Sequence, residues 1–304
     1  MTFKQIFINR HAELRAGWRT ALFVAILTGI AYGAGATFRF FELTGMYIGA
    51  WIGLVAALAA SYVMTRFVNR KPFGAIGLAI MPTTLRDFGL GTLLGFLAMG
   101  MIALVLLAIG GLQISPRDLD AGTAAWIVLS SVFLFSIGAL TEEVLFRGYV
   151  FQTLVQGITM LPALIIMALL FAAAHLANPN ASMFGIVNVA LAALTFSFAY
   201  LKTRSLWLPL GLHFGWNFSQ TTVFGFPTSG IDFDNHKLFL LTQSGPDWLT
   251  GGAFGPEGGA LATAALAGWA WYILKSKRLS APAGIITLDS VEDLLPESEE
   301  KAIQ

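Results

Sequence analysis

The chain contains no cysteine. That excludes disulfides, thiol nucleophiles and every metal site built on cysteine. Charge is scarce too: 12% of the 304 residues are Asp, Glu, Lys or Arg, against 56% hydrophobic, and the mean hydropathy is +0.73. An ordinary soluble domain carries about 25% charged residues, so this composition implies a polytopic membrane protein. The net charge of +1 is spread over loops and forms no basic stripe, so no nucleic-acid partner is expected. There is no Gly-x-Ser-x-Gly elbow and no His-Glu-x-x-His pair, and the aspartates fall mainly in loops or the tail. Serine, zincin-type and aspartyl intramembrane protease chemistries therefore fit poorly. The apolar runs are long and not alternating, which argues against a transmembrane barrel.

A bilayer core of about 30 Å needs roughly 20 apolar residues per helix. Eight stretches meet that need, near 18–38, 44–65, 88–112, 124–150, 159–177, 183–201, 206–226 and 256–274. The expected fold is an all-α membrane bundle of about eight transmembrane helices, one domain over residues 1–279. The fourth stretch continues its helical pattern through Glu142 to about Leu154, so it is expected to be long, tilted or bent. Lys71 to Asp87, with Pro72 and Pro82, reads as a loop with an interfacial piece. Residues 1–16 alternate Phe3, Ile6, Phe7 and Leu14 with polar residues and read as an amphipathic surface helix. The first apolar stretch is long enough to span and has no small-residue cleavage pattern. Residues 280–304 are polar and acidic (Asp289, Glu292, Asp293, Glu297) and read as a flexible cytoplasmic tail.

Lys and Arg fall on alternate connections. One set holds Lys4, Arg10, Arg15 and Arg19, then Arg66, Arg70 and Lys71, then Lys202 and Arg204, then Lys275, Lys277 and Arg278. The other holds little beyond Arg39, Arg117 and Lys237. By the positive-inside rule both termini are expected to be cytoplasmic, in the cytoplasmic membrane if the source is bacterial.

Against this background a few polar residues stand inside apolar runs. Glu142, Glu143 and Arg147 follow the run Ala124 to Leu140, His175 closes a second run, and His213 and Asn217 lie within a third. A charge at the bilayer centre costs at least about 2.5–3.5 kcal/mol. Glu143 and Arg147 are four apart and share a helix face, with the acid first. Glu142 points about 100° away, and its own i+4 residue is Phe146. That divides a site-stabilising Glu143–Arg147 pair from a chemically available Glu142. Glu142 and His175 could hold and deprotonate a water, while His213 and Asn217, one turn apart, could present two donors to a developing oxyanion. Glu plus two His also makes a zinc ligand set with a fourth position for water. If a metal binds, Glu142, His175 and His213 are its candidates, and no cofactor is otherwise required. Each piece alone has a plain reading: a Glu-Glu pair at a helix end is usually solvated, and a lone His on an apolar helix usually bonds to a neighbour. His11 and His236 fall in expected loops and read as ordinary.

Taken in order, Glu142-Glu143-x-x-x-Arg147, Phe171-x-x-x-His175 and His213-x-x-x-Asn217 resemble the signature of the CAAX-processing and bacteriocin-processing membrane protease family. Its members are also called type II CAAX prenyl endopeptidases, or the Abi group. The surroundings Glu142–Gly148 and Thr203–Pro209 look like family idiom, and the resemblance covers about 120–226. It implies an intramembrane endopeptidase with eight helices and a catalytic cavity open towards the cytoplasm. On that likeness the residues matching Glu142 and His175 activate water, those matching His213 and Asn217 form the oxyanion hole, and those matching Glu143 and Arg147 stabilise the site. The reading leans to a metal-independent, glutamate-activated water. The partner implied is a membrane-bound or lipidated protein or peptide, with a prenylated CAAX-type tail as one substrate class.

Two other functions compete: a non-catalytic membrane scaffold or bacteriocin self-immunity factor, and a proton-coupled transporter using the acidic and histidine residues as a relay. One geometric difficulty accompanies the site. Straight spans ending at the boundaries above set His175 near the outer end of its helix and His213 nearer the inner side. Glu142 and His175 meet only if the fourth span is long and the fifth starts deep.

Overall fold

The computed structural model describes residues 6–9 and 13–289. Phe3, Lys4, Arg10 and His11 of the expected surface helix, and residues 290–304 of the expected tail, lie outside them. Ile6 and Phe7 pack on the first span: Trp18 Nε1 donates to the Ile6 carbonyl at 3.1 Å, and the Phe7 and Trp18 rings stack.

The fold is a helical bundle. Its helices are α1 (Ala16–Phe40), α2 (Met46–Val63), α3 (Thr84–Ala108), α4 (Ala121–Glu143), α5 (Tyr149–Ile158), α6 (Met160–Ala174), α7 (Met183–Thr203), α8 (Trp207–Phe218) and α9 (Ala260–Lys275). Five segments are long and apolar enough to cross a membrane: α1, α2 with its extension to Val68, α3, the continuous stretch Ala121–Ile158, and α7. α6, α8 and α9, with 15, 12 and 16 residues, are shorter than a full span. The eight expected stretches thus each hold a helix, with full spanning length in five. The helix exteriors are apolar, as lipid-facing surfaces must be: Trp126, Leu129, Leu169 and Trp271 are each 62–68% exposed. The chain is an integral membrane helical bundle.

The expected loop 71–87 ends earlier than its composition suggests. A short 3₁₀ turn covers Phe73–Ile76, and α3 begins at Thr84, which takes in Asp87. A small antiparallel pair, β1 (Leu112–Pro116) with β2 (Phe239–Gln243), joins the α3–α4 and α8–α9 connections.

The fourth span is interrupted where the acidic pair ends. Residues Val144–Gly148 form a π-turn, and the helix resumes as α5. Insertions of this kind often mark functional sites. α5 and α6 are joined at Thr159, which holds a left-handed φ of 69°, so α6 turns straight back along the preceding helix. This hairpin removes the depth difficulty. Glu142 precedes Thr159 by 17 residues and His175 follows it by 16. At ~1.5 Å per residue the two lie level, each roughly 25 Å from the turn.

α3 and α8 make the most extensive helix contact in the bundle. Each carries a small-x-x-x-small pair, Gly91 with Gly95 and Gly211 with Gly215. A Cβ at Gly95 would stand 2.5 Å from the Trp216 nitrogen, and one at Gly215 would stand 2.8 Å from Thr92 Cα. Only hydrogen fits between the backbones, as in close helix pairs of membrane proteins. His213 and Asn217 are offset by two residues, about 200° around α8, from the glycine seam. Docking the seam on α3 therefore turns both polar side chains away from it, towards α4 and α7.

Residues after Leu279 depart from the expected flexible tail as far as they are described. Arg204 donates to both Asp289 carboxylate oxygens at 2.8 Å, Lys71 Nζ donates to the Thr287 and Leu288 carbonyls, and Leu288 and Asp289 are buried. The acidic composition conceals one carboxylate with a buried arginine waiting for it.

Candidate active site

The three motifs converge on one cavity of about 440 Å³. Glu142, Phe171, His175, His213 and Asn217 all line it. Apolar walls come from Leu134, Phe135, Phe146, Phe196 and Trp269. Volume and lining are those of a site for one peptide segment or small ligand.

Glu143 and Arg147 form the expected pair, with Arg147 Nη1 donating to Glu143 Oε1 at 3.2 Å and both side chains buried. Glu143 also does something the sequence reading did not give it. The same oxygen lies 2.9 Å from Nδ1 of His213 and accepts its proton. Fixing Nδ1–H on a carboxylate sets the orientation of the ring and turns Nε2 into the cavity, the orienting role carboxylates commonly play for histidine. Arg147 is clamped in turn: its Nη2 donates to the Ala193 carbonyl at 3.0 Å, and its guanidinium lies 4.6 Å and 5.3 Å from the ring centroids of Phe171 and Phe196. Phe171 thus holds the cation while packing against the His175 ring at 4.7 Å.

Glu142 is the carboxylate without a matched partner. Its Oε2 is buried with no hydrogen bond, and the nearest cationic candidate, Nε2 of His213, is 3.7 Å away, beyond hydrogen-bond reach. His175 caps α6, and its Nδ1 donates to the Phe171 carbonyl at 2.8 Å. A carbonyl only accepts, so Nδ1 carries the proton and Nε2 of the neutral ring has the lone pair. Asn217 is partly buried on the cavity wall one turn from His213.

Zinc is the other reading of Glu142, His175 and His213. Nδ1 of His213 is on Glu143 and Nδ1 of His175 is on a carbonyl, which leaves Nε2 of each ring for the cavity; among the described residues no group of three or more His, Cys, Asp or Glu that could hold a metal ion is found.

Sequence reasoning missed a further carboxylate. Glu257 lies on the glycine-rich connection before α9, where it lines the same cavity. Ser229 Oγ donates to its Oε2 at 3.0 Å, the Ser229 backbone N–H donates to the same oxygen, and Trp216 Nε1 donates to Oε1 at 3.3 Å. Burial pushes this carboxyl above its ordinary value, against the Ser229 hydrogen bonds and the neighbouring His175. The signal available was one acid among Gly255, Gly258 and Gly259 directly ahead of an apolar run. His236 is likewise more than an ordinary loop residue: it is buried, with Tyr47 OH and Ser131 Oγ at its two ring nitrogens.

Residues 124–219 match the family model described as Type II CAAX prenyl endopeptidase Rce1-like. That stretch contains every motif residue of the cavity. Over that stretch the chain is similar to the Rce1-like family. The match supports CAAX-type intramembrane protease activity in general terms, in a family that acts on membrane-associated prenylated substrates. Over 247 residues the chain is 27% identical to "Uncharacterized protein YyaK" of Bacillus subtilis (strain 168), covering 75% of this chain and 79% of that protein. No solved structure gives a significant match.

Proposed function

We propose that this Rce1-like protein is an intramembrane endopeptidase that cleaves a membrane-associated or lipidated polypeptide with a glutamate-activated water. The observation that carries this reading is the unpartnered Glu142 carboxylate on the wall of a cavity it shares with His175, His213 and Asn217.

In the proposed reaction, water is held between Glu142 and the free Nε2 of His175. Glu142 takes a proton as the water oxygen attacks the scissile carbonyl, and the carbonyl π bond becomes the oxyanion. The Asn217 amide and a protonated Nε2 of His213 donate to that oxyanion, and a doubly protonated His213 ring would lie between the carboxylates of Glu142 and Glu143. Collapse of the intermediate breaks the C–N bond, and the proton held by Glu142 passes to the leaving amine. Glu143 and Arg147 act by position: the first aims His213, and the second neutralises the first in a low-dielectric setting. No step requires a metal.

The test compares protein termini in membranes containing wild type or Glu142→Ala at matched levels. Termini found only with wild type are expected. Identical termini, with the variant still supplying any phenotype the gene gives, would favour a scaffold or immunity role instead.

A further inference from the structure

The connections of the bundle sort into two ends. At one end lie Arg66, Arg70 and Lys71 after α2, Lys202 and Arg204 around the end of α7, and Lys275, Lys277 and Arg278 around the end of α9. These segments are tied to one another: Leu206 N–H donates to the Gly77 carbonyl, Trp207 Nε1 donates to the Ala79 carbonyl at 3.0 Å, and Arg204 grips Asp289. At the other end lie the α1–α2, α3–α4, α6–α7 and α8–α9 connections. They are tied by the β1–β2 pair, by Tyr47 to His236, and by Asn178 donating to the Ser229 carbonyl at 2.9 Å. The cations there are Arg39, Arg117 and Lys237. Lys237 pairs with Asp232, and Arg117 donates to the Asp234 and Lys237 carbonyls.

The cavity belongs to the second end. Its rim is Met46 at the start of α2, Asn178 after α6, and Ser229, Ile231 and Phe233 in the α8–α9 connection. No residue of the basic connections 64–83, 202–206 or 275–289 lines it. The positive-inside rule, counted over short connections, assigns the Lys/Arg-rich end to the cytoplasm.

We infer that the site opens away from the cytoplasm, and that its substrate is a polypeptide segment presented from the extracytoplasmic face, with an apolar side chain beside the scissile bond to fill the Leu, Phe and Trp walls. This rests on the proteolytic reading for the substrate, and on geometry alone for the opening. It departs from the cytoplasm-facing cavity that the family resemblance implies. A cytosolic tail would meet the end sealed by the Gly77–Leu206 contact and the Asp289 strap.

The absence of cysteine makes the test clean. Single variants Asp118→Cys on the exposed α3–α4 connection, Ile231→Cys on the rim and Lys277→Cys at the basic end are treated in intact cells with a membrane-impermeant maleimide. Asp118→Cys and Ile231→Cys should label at once, whereas Lys277→Cys should label only after permeabilisation. Lys277→Cys labelling in intact cells, with the other two silent, would overturn the inference. So would an Ile231→Cys that resists label from the side where Asp118→Cys reacts; if Ile231→Cys does not fold, Met46→Cys on the same rim replaces it. Termini that depend on Glu142 should fall in extracytoplasmic segments, and termini in cytoplasmic segments would overturn the substrate half. If no termini depend on Glu142, the proteolytic reading and the substrate half fail together, while the labelling still decides which way the cavity faces.

Discussion

Among the described residues two arginine–carboxylate pairs are buried, and they are finished to different degrees. Arg204 meets Asp289 through both carboxylate oxygens at 2.8 Å, and adds the Asp289 carbonyl at 2.9 Å and Thr287 Oγ at 2.8 Å. Tyr200 OH donates to the same carboxylate. Arg147 meets Glu143 through one oxygen at 3.2 Å; its Nε and Glu143 Oε2 are buried without hydrogen bonds. A saturated bidentate pair fastens chain to chain. The unsaturated pair leaves a carboxylate oxygen shared with His213 and polar capacity in reserve beside the cavity. Buried polar atoms without a hydrogen bond also occur elsewhere in the bundle, at Arg19, Thr65 and Gln152 among others; what sets this group apart is that Glu142 Oε2, Glu143 Oε2 and Arg147 Nε stand beside the cavity.

The comparison can be broken most sharply at Glu142, which belongs to the unfinished cluster but holds none of it together. Glu142→Gln should cut turnover by about 10²–10⁴-fold, the usual contribution of a general base, with thermal unfolding in detergent unchanged. An equal loss of stability would show that Glu142 is part of the frame. Next come the arginines. Removing one partner of a buried pair costs about 3–5 kcal/mol, so Arg147→Ala and Arg204→Ala should both lower stability. Only Arg147→Ala should also lower turnover per folded molecule, because only it releases Glu143 from aiming His213. A smaller effect is expected at the glycine seam. Gly215→Ala forces α3 and α8 apart at a cost of about 1–3 kcal/mol, and turnover should fall further than stability because His213 and Asn217 ride on α8. The smallest effect is at Glu257. Its carboxyl is raised by burial, so ionisation opposes folding, and its contribution is lost as pH rises through the folded-state value. Wild type should therefore gain stability relative to Glu257→Gln as pH is lowered from neutrality, read as melting temperature against pH.

Much of the site could be read from the sequence because it depends on local spacing. Glu143 with Arg147, Phe171 with His175, and His213 with Asn217 are each one helical turn apart; the last two pairs line one cavity and the first is buried behind it, on His213. What could not be read comes from contacts distant in the chain. Glu143 reaches His213 across 70 residues, and Glu257 enters from a glycine-rich connection that carries none of the motifs. The level of Glu142 and His175 depends on a left-handed turn at Thr159, a residue type with no special preference for that conformation. The seam of Gly91, Gly95, Gly211 and Gly215 went unread, because small-x-x-x-small spacing identifies a partner helix only once two such seams meet. Asp289 sits in an acidic stretch whose other members gave no reason to single it out.

The most direct measurement is the profile of protein termini in membranes carrying wild type, Glu142→Gln or Asp289→Asn, each normalised to folded protein. The account predicts that Glu142→Gln erases the termini found with wild type and that Asp289→Asn keeps them. Termini that survive Glu142→Gln would contradict it.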